Sequence, residues 1–317
     1  MSYGHTGNFQ CVHLFLSIQF SILEKGVCYE MKLSYIDEGR VLLIAGGGKI
    51  YSDVAARFSR STKNLDDIIG APHSKELLKK IVDSGHESAL EFDTFIFGIE
   101  GYSRVTEIQL IRKRMASYLI KSAGADRNGK DEFSVVVPRD KGLDLAQGCI
   151  EVAPSQILVT ERNTSWFLSD ILSNKWKYKV QVSLSNRDIL NLLESFYNDA
   201  TKKHGVSPEM ARYYKPQATE FKAIVAMNAH ALRDWFGKRL CNRAQPEIRN
   251  LASKMYEHCM RCAPELFEGC GPDCIKYGCC SEVEQCEEKK GKVPTREQLK
   301  ELAKTYYKGE EKADVKN

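Results

Sequence analysis

Between residues 91 and 119 the spacing of apolar side chains changes from every second residue to every third or fourth. In residues 91–100, Phe95, Phe97 and Ile99 alternate with Phe92, Thr94 and Ile96. That period of two, in a run rich in strand formers, predicts a strand with two unlike faces. From Tyr102 onward Val105, Ile108, Ile111, Met115 and Leu119 recur at helical spacing, which predicts one amphipathic helix. A strand that feeds directly into a helix, with no regular strand–helix alternation elsewhere, favours the α+β class over a doubly wound sheet. The expected architecture is a mixed or antiparallel sheet packed against long helices.

The rest of the chain supplies the other elements. Residues 1–30 carry no clear pattern, and Met31 opens a much better one. Met31 is therefore read as the natural start, or residues 1–30 as an added arm. A turn at Glu38-Gly39-Arg40 leads into the apolar run 41–45, and helices follow near 52–58 and 74–84. Ser74 is placed to cap the second, whose apolar stripe is Leu77, Leu78, Ile81 and Val82. A strand at 133–137 stops at Pro138, a helix is expected at 164–172 within the ambiguous stretch 139–186, and 188–200 is a firm helix. Residues 219–227 read as a strand, 229–240 and 244–267 as helices. The end, 295–307, is a charged helix opened by a capping box, Thr295 with Gln298.

Composition narrows the function classes. A net charge of +4 argues against a nucleic-acid surface spread over the protein and leaves room for local basic pockets. The apolar stretch 12–23 is too short to span a membrane and lacks the basic flank of a secretory signal. Of 11 cysteines, most fall in the last quarter. Without a secretory signal, free thiols or a metal site in a reducing cytoplasm are favoured over disulfides.

Three polar constellations carry chemistry. His86, Glu87, Ser88 and Glu91 follow Gly85 between a helix and a strand; read alone, they are a loop that caps the preceding helix. Gln109 and Arg112 share a helix face, while Arg114 points elsewhere unless the helix ends and the chain wraps around a ligand. Arginine suits such a place because its planar fork binds phosphate bidentately. Asn228 is placed to cap a helix on which His230 and Asp234 stand four residues apart and can pair. Arg239 and Arg243 lie one turn apart near its end.

Taken together, in this order and spacing, the three resemble the flavin-dependent thymidylate synthase family (ThyX), from about residue 31 to residue 267. The family's H-E-[ST]-x-x-E loop is matched at His86, Glu87, Ser88 and Glu91. Its Q-x-x-R-H-R-x-x-S signature is matched at Gln109, Arg112, Arg114, Ser117 and, further on, Ser122. Its last helix is matched at Asn228, Leu232, Arg239, Ala244, Gln245, Glu247 and Ile248. The resemblance implies a ThyX-like catalytic domain over 31–268, followed by a Cys-rich segment and charged helix over 269–317. It also implies a homotetramer that binds FAD between subunits. NADPH reduces the flavin, and a one-carbon unit passes from methylenetetrahydrofolate to C5 of dUMP, giving dTMP. By the family pattern Ser59, His86, Ser88, Glu91, Arg112, Arg114, Asn228 and His230 contact flavin. Gln109, Ser122, Arg212 and Arg239 contact the nucleotide, with Arg239 and Ser122 the catalytic candidates.

The sequence departs from that pattern mostly within one stretch. Lys113 stands where the motif has histidine, Leu119-Ile120 where it has a polar pair, and Gly124-Ala125 where it has Arg-Tyr; Arg243 replaces a histidine in the last helix. Each lost charged contact typically weakens a ligand by ~1.5–3 kcal/mol. Three readings stay open: a synthase with compensating residues such as Arg127, a paralogue acting on another pyrimidine nucleotide, or a non-catalytic subunit in a hetero-oligomer with an intact copy. Separately, Cys270, Cys274, Cys279 and Cys286 offer enough thiolates for a structural zinc, though without a standard Cys-x2-Cys spacing. Free thiols on an irregular segment are the alternative.

Overall fold

The alternating run becomes the centre of an antiparallel sheet. A computed structural model describes residues 32–48, 50–121, 134–138, 146–150, 180–184 and 186–313, all within the unit Met31–Asn317. In chain order, strands β1 (Lys32–Tyr35) and β2 (Arg40–Ala45) precede helices α1 (Ser52–Phe58), α2 (Leu65–Gly70) and α3 (Lys75–Asp83). A 3-10 turn at Glu87–Phe92 leads into β3 (Thr94–Ser103), α4 (Arg104–Leu110), β4 (Ser117–Ile120) and β5 (Ser134–Val137). Then come β6 (Ala146–Ile150), β7 (Val180–Leu184), α5 (Asn186–Asn198), β8 (Glu220–Asn228), α6 (Ala229–Arg239), α7 (Pro246–Cys262) and α8 (Arg296–Ala313). The main sheet has the order β2-β3-β8-β4 with every neighbour antiparallel. A parallel pair β1-β5 and an antiparallel pair β6-β7 stand apart from it.

One face of the sheet makes the core. Phe95, Phe97 and Ile99 of β3 and Ala223, Val225 and Met227 of β8 are buried, as the alternation predicts. They pack with Leu232 and Phe236 of α6 and Leu251 and Met255 of α7. Phe267 closes the cluster, its ring edge-on to Phe95 at 5.2 Å and to Phe236 at 6.0 Å. Side chains fix where several helices begin. Ser74 Oγ accepts from Leu77 N at 3.2 Å, and Asn228 Oδ1 from Ala231 N at 2.8 Å. Gln245 Oε1 accepts from Ile248 N at 2.9 Å, with Pro246 in the first turn. The capping box forms in both directions between Thr295 and Gln298.

Three boundaries differ from the sequence expectation. The helical run does not reach Leu119: α4 ends at Leu110, and residues 117–120 form a strand paired with Ala223–Ala226 of β8. The Tyr118 hydroxyl lies 2.9 Å from the Leu110 carbonyl and 2.8 Å from that of Lys113, closing the intervening loop. The expected helix 244–267 breaks at Ala263, because Pro264 disfavours helical geometry in the residue before it. Helix α2 was not foreseen, although Asn64 caps it through Asp67 N at 2.8 Å. The helix expected at 164–172 lies outside the described residues. Among the described residues no helix is long and apolar enough to cross a membrane.

Candidate functional site

The start of α6 is where two of the polar constellations meet. Asn228 ends β8 and caps the helix, so the next turn presents His230 beside the 3-10 turn Glu87–Phe92. His230 Nδ1 lies 3.3 Å from Glu91 Oε1, and its Nε2 lies 3.8 Å from Glu87 Oε2. Arg233, one turn on, is buried; its Nε donates to Glu87 Oε1 at 3.2 Å and its Nη1 to the Leu266 carbonyl at 2.6 Å. Lys276 adds a second cation, beside Arg233, to Glu87 at 3.5 Å. A cavity of about 580 Å³ opens beside these groups, lined among others by Glu91, Lys113, Asn228, His230 and Asp234. Its volume is in the range of small-molecule and cofactor pockets.

The second focus is the C-terminal end of α6. Arg239 Nη1 donates to Gln109 Oε1 at 3.2 Å, and Nη2 donates to the Gln109 main-chain carbonyl at 3.2 Å. Burial, with Arg112 nearby as a second cause, holds the Arg239 guanidinium below its usual range. Gln109, Arg112 and Arg239 are thus gathered. Because α4 stops at Leu110, Arg112 and Arg114 stand in the loop that Tyr118 closes. That is the arrangement two arginines need to reach one ligand. Burial of the Tyr118 hydroxyl pushes its pKa up to about 12, so it stays a neutral donor. Arg112 and Arg114 are exposed and pair with no acid among the described residues.

The remaining expectations fall elsewhere. Ser59 is exposed at the end of α1, where its hydroxyl donates to the Ala56 carbonyl at 2.9 Å. His86 and Ser88 are exposed and do not line the cavity. Arg212 is exposed in a short turn after Pro208–Ala211 and makes no hydrogen bond or ion pair with Gln109 or Arg239. Ser122, Gly124, Ala125 and Arg127 lie outside the described residues. The expected pair His230–Asp234 does not form. Asp234 binds Lys113 at 2.6 Å and Lys238 at 3.0 Å, while His230 turns to the two glutamates. Arg243 sits beyond the helix and pairs with Glu284 at 3.3 Å. The expected zinc quartet is not assembled: Cys270 is buried with Sγ donating to the Arg233 carbonyl at 3.5 Å. Among the described residues no three His, Cys, Asp or Glu side chains are arranged to hold a metal ion.

Sequence reasoning passed over Arg233 and Lys276. Arg233 carried one signal, a basic residue on the buried stripe with Leu232 and Phe236, where only a paired charge is tolerated. Lys276 carried none.

With this geometry in place, likeness to other proteins is informative. Residues 47–265 match the family described as "Thymidylate synthase complementing protein". The flavin-dependent thymidylate synthase of Geobacter sulfurreducens is 33% identical over 229 residues, covering 71% of this chain and 83% of its own length. That of Pyrococcus abyssi is 34% identical over 230 residues, covering 70% and 76%. Among solved structures, a UMP/dUMP methylase from Streptomyces cacaoi, bound with 5-Br dUMP, superposes with a TM-score of 0.52. It is 17% identical and covers 75% of this chain and 96% of its own. At that identity the likeness speaks for the fold.

Proposed function

The chain belongs to the flavin-dependent thymidylate synthase family, a family of methyltransferases, and we propose that it methylates dUMP reductively to dTMP. Methylenetetrahydrofolate is the carbon donor and NADPH the reductant. FAD, when bound, supplies the reducing equivalents. The observation that carries this reading is the gathering of Gln109, Arg112 and Arg239, with Arg112 and Arg114 free of acidic partners in a loop. Unpaired arginines suit phosphate, and this ligand set carries several phosphates.

The residues divide the work as follows. Arg112 and Arg114 bind phosphate oxygens through their planar forks. Asn228, His230 and Glu91 line the cavity that would hold part of the flavin, while Ser59, His86 and Ser88, exposed and outside that lining, would meet flavin held by a neighbouring subunit. Arg239 fixes Gln109: because the amide oxygen already accepts from Arg239, the amide nitrogen is left to donate to a uracil carbonyl. Arg239 and Ser122 are the residues that the family pattern assigns to the reacting nucleotide. Arg212 reaches it from a neighbouring subunit of a homotetramer, since in its own chain it stands apart from Gln109.

A second reading, a flavin-holding subunit that relies on an intact paralogue, is favoured by the second half of the motif. Leu119 and Ile120 belong to strand β4 and line no part of the cavity.

Purified protein decides between them. The synthase reading expects bound flavin and NADPH oxidation that dUMP accelerates. Arg239→Ala should abolish the dUMP response while flavin stays bound. A yellow protein indifferent to dUMP refutes the synthase reading, and a colourless one refutes both unless an intact partner restores the flavin.

A further inference from the structure

The family match ends at residue 265, yet nearly half of the residues lining the cavity lie beyond it, between Cys270 and Glu282. The other wall is one face of α6, on which Asn228, Ala231, Asp234 and Lys238 recur every three or four residues. The tail is held against that face by several unlike contacts. Cys270 Sγ donates to the Arg233 carbonyl at 3.5 Å, and Lys276 meets Glu87 at 3.5 Å. Asn242 donates to Glu288 at 2.7 Å, and Arg243 to Glu284 at 3.3 Å. Gly237 on that face lies beside the Gly271 carbonyl, which a Cβ added at Gly237 would meet at an ordinary contact distance of 3.4 Å.

Apolar burial holds this segment at Cys270 and Cys280, while its larger apolar side chains stay outside. Ile275, Tyr277 and Val283 are exposed, the last at 99%. What the tail presents to the cavity includes a cation over a ring, the Lys276 ammonium 5.2 Å from the Tyr277 ring centre, along with the carboxylates of Asp273 and Glu282. A cation next to an exposed aromatic face suits a ligand that joins an aromatic ring system to phosphate.

We infer that residues 271–274, 276–277 and 280–282 form a wall of the cofactor site, and that Lys276 and Tyr277 contact the bound dinucleotide there. The inference rests on the flavin reading and adds a wall from beyond the family match. FAD binding is measured by fluorescence quenching on the full chain, in wild type, in Lys276→Ala with Tyr277→Ala, and in Ile275→Ala. Ile275 is exposed and does not line the cavity. The double variant should raise the Kd for FAD at least tenfold, with Ile275→Ala within twofold of wild type. Ser281→Trp adds bulk from the same wall and should weaken binding equally, which keeps the question open to measurement if the double variant fails to fold. Wild type that binds FAD, with unchanged affinity in the wall variants that fold, overturns this inference alone. Wild type that binds no FAD overturns it together with the flavin reading.

Discussion

Lys113 occupies the position of the motif histidine, and its surroundings explain how a lysine is accommodated. Its ammonium lies 2.6 Å from Asp234, which also meets Lys238 at 3.0 Å. Burial opposes the Asp234 charge, but the two lysines outweigh it and hold the carboxyl below its ordinary range. A carboxyl lowered in the folded state contributes at neutral pH, and that contribution is lost as pH falls through the folded value. Lys113→Met should therefore move the Asp234 titration upward, as read by NMR of the side-chain carboxyl; an unmoved titration would break the assignment. The same variant separates two roles. If Lys113 also meets a ligand phosphate, FAD affinity falls by roughly one to two decades, the usual worth of a charged hydrogen bond. This pairing was not legible in the sequence. Residues 113 and 234 are 121 positions apart, while helical spacing pointed to His230 as the partner of Asp234. Nor was the loop that carries the two arginines legible: helical spacing through Leu119 would set Arg112 and Arg114 on different faces, whereas α4 ends at Leu110 and both stand in the segment that follows.

At the scale of elements, several motif residues turn out to build the frame that carries the site. Glu247, at the start of α7, is buried; its two oxygens accept from Ser103 N at 2.6 Å and Ser103 Oγ at 2.5 Å. It thereby ties α7 to the junction of β3 and α4, the element that carries Gln109. Glu247→Ala leaves a buried N–H and hydroxyl without a partner and should cost about 1.5–3 kcal/mol in urea unfolding. Combined with Ser103→Ala it should cost less than the sum of the two, since both variants remove one interaction. Full additivity would show that the contact contributes little. The long strands and helices were legible because their periods run for many residues. Strand β4 was not: Met115 and Leu119 fit a helix as well as a strand, and pairing with β8, helped by the Tyr118 clamp, decides between them.

Across the whole molecule, the sheet face opposite the core is an apolar surface that a single chain leaves exposed. Leu42, Gly98, Ile224 and Leu119 are register partners across all four strands. Leu42, Ile224 and Leu119 are exposed, Leu119 at 70%, and Ile44 lies over Gly98. A continuous apolar row on a sheet marks an interaction surface more often than scattered exposed leucines do. Strand β4 is also an edge with unpaired backbone groups. The two motif positions that lost their polar side chains fall on this edge strand, so the apolar Leu119 fits a role in assembly. If the sheet face joins subunits, Leu119→Asp with Ile224→Lys should leave the fold intact, since both sites are exposed on the monomer. Light scattering should then report a drop in mass from the oligomer to a smaller species at micromolar concentration. Because the proposed nucleotide site draws Arg212 from a neighbour, the same variant should lose dUMP binding by calorimetry, even at sites far from the substitutions. Wild-type protein that already runs as a monomer, or a variant of unchanged mass, would remove the sheet face from the assembly. A dissociated variant that still binds dUMP as tightly would place the whole nucleotide site within one chain.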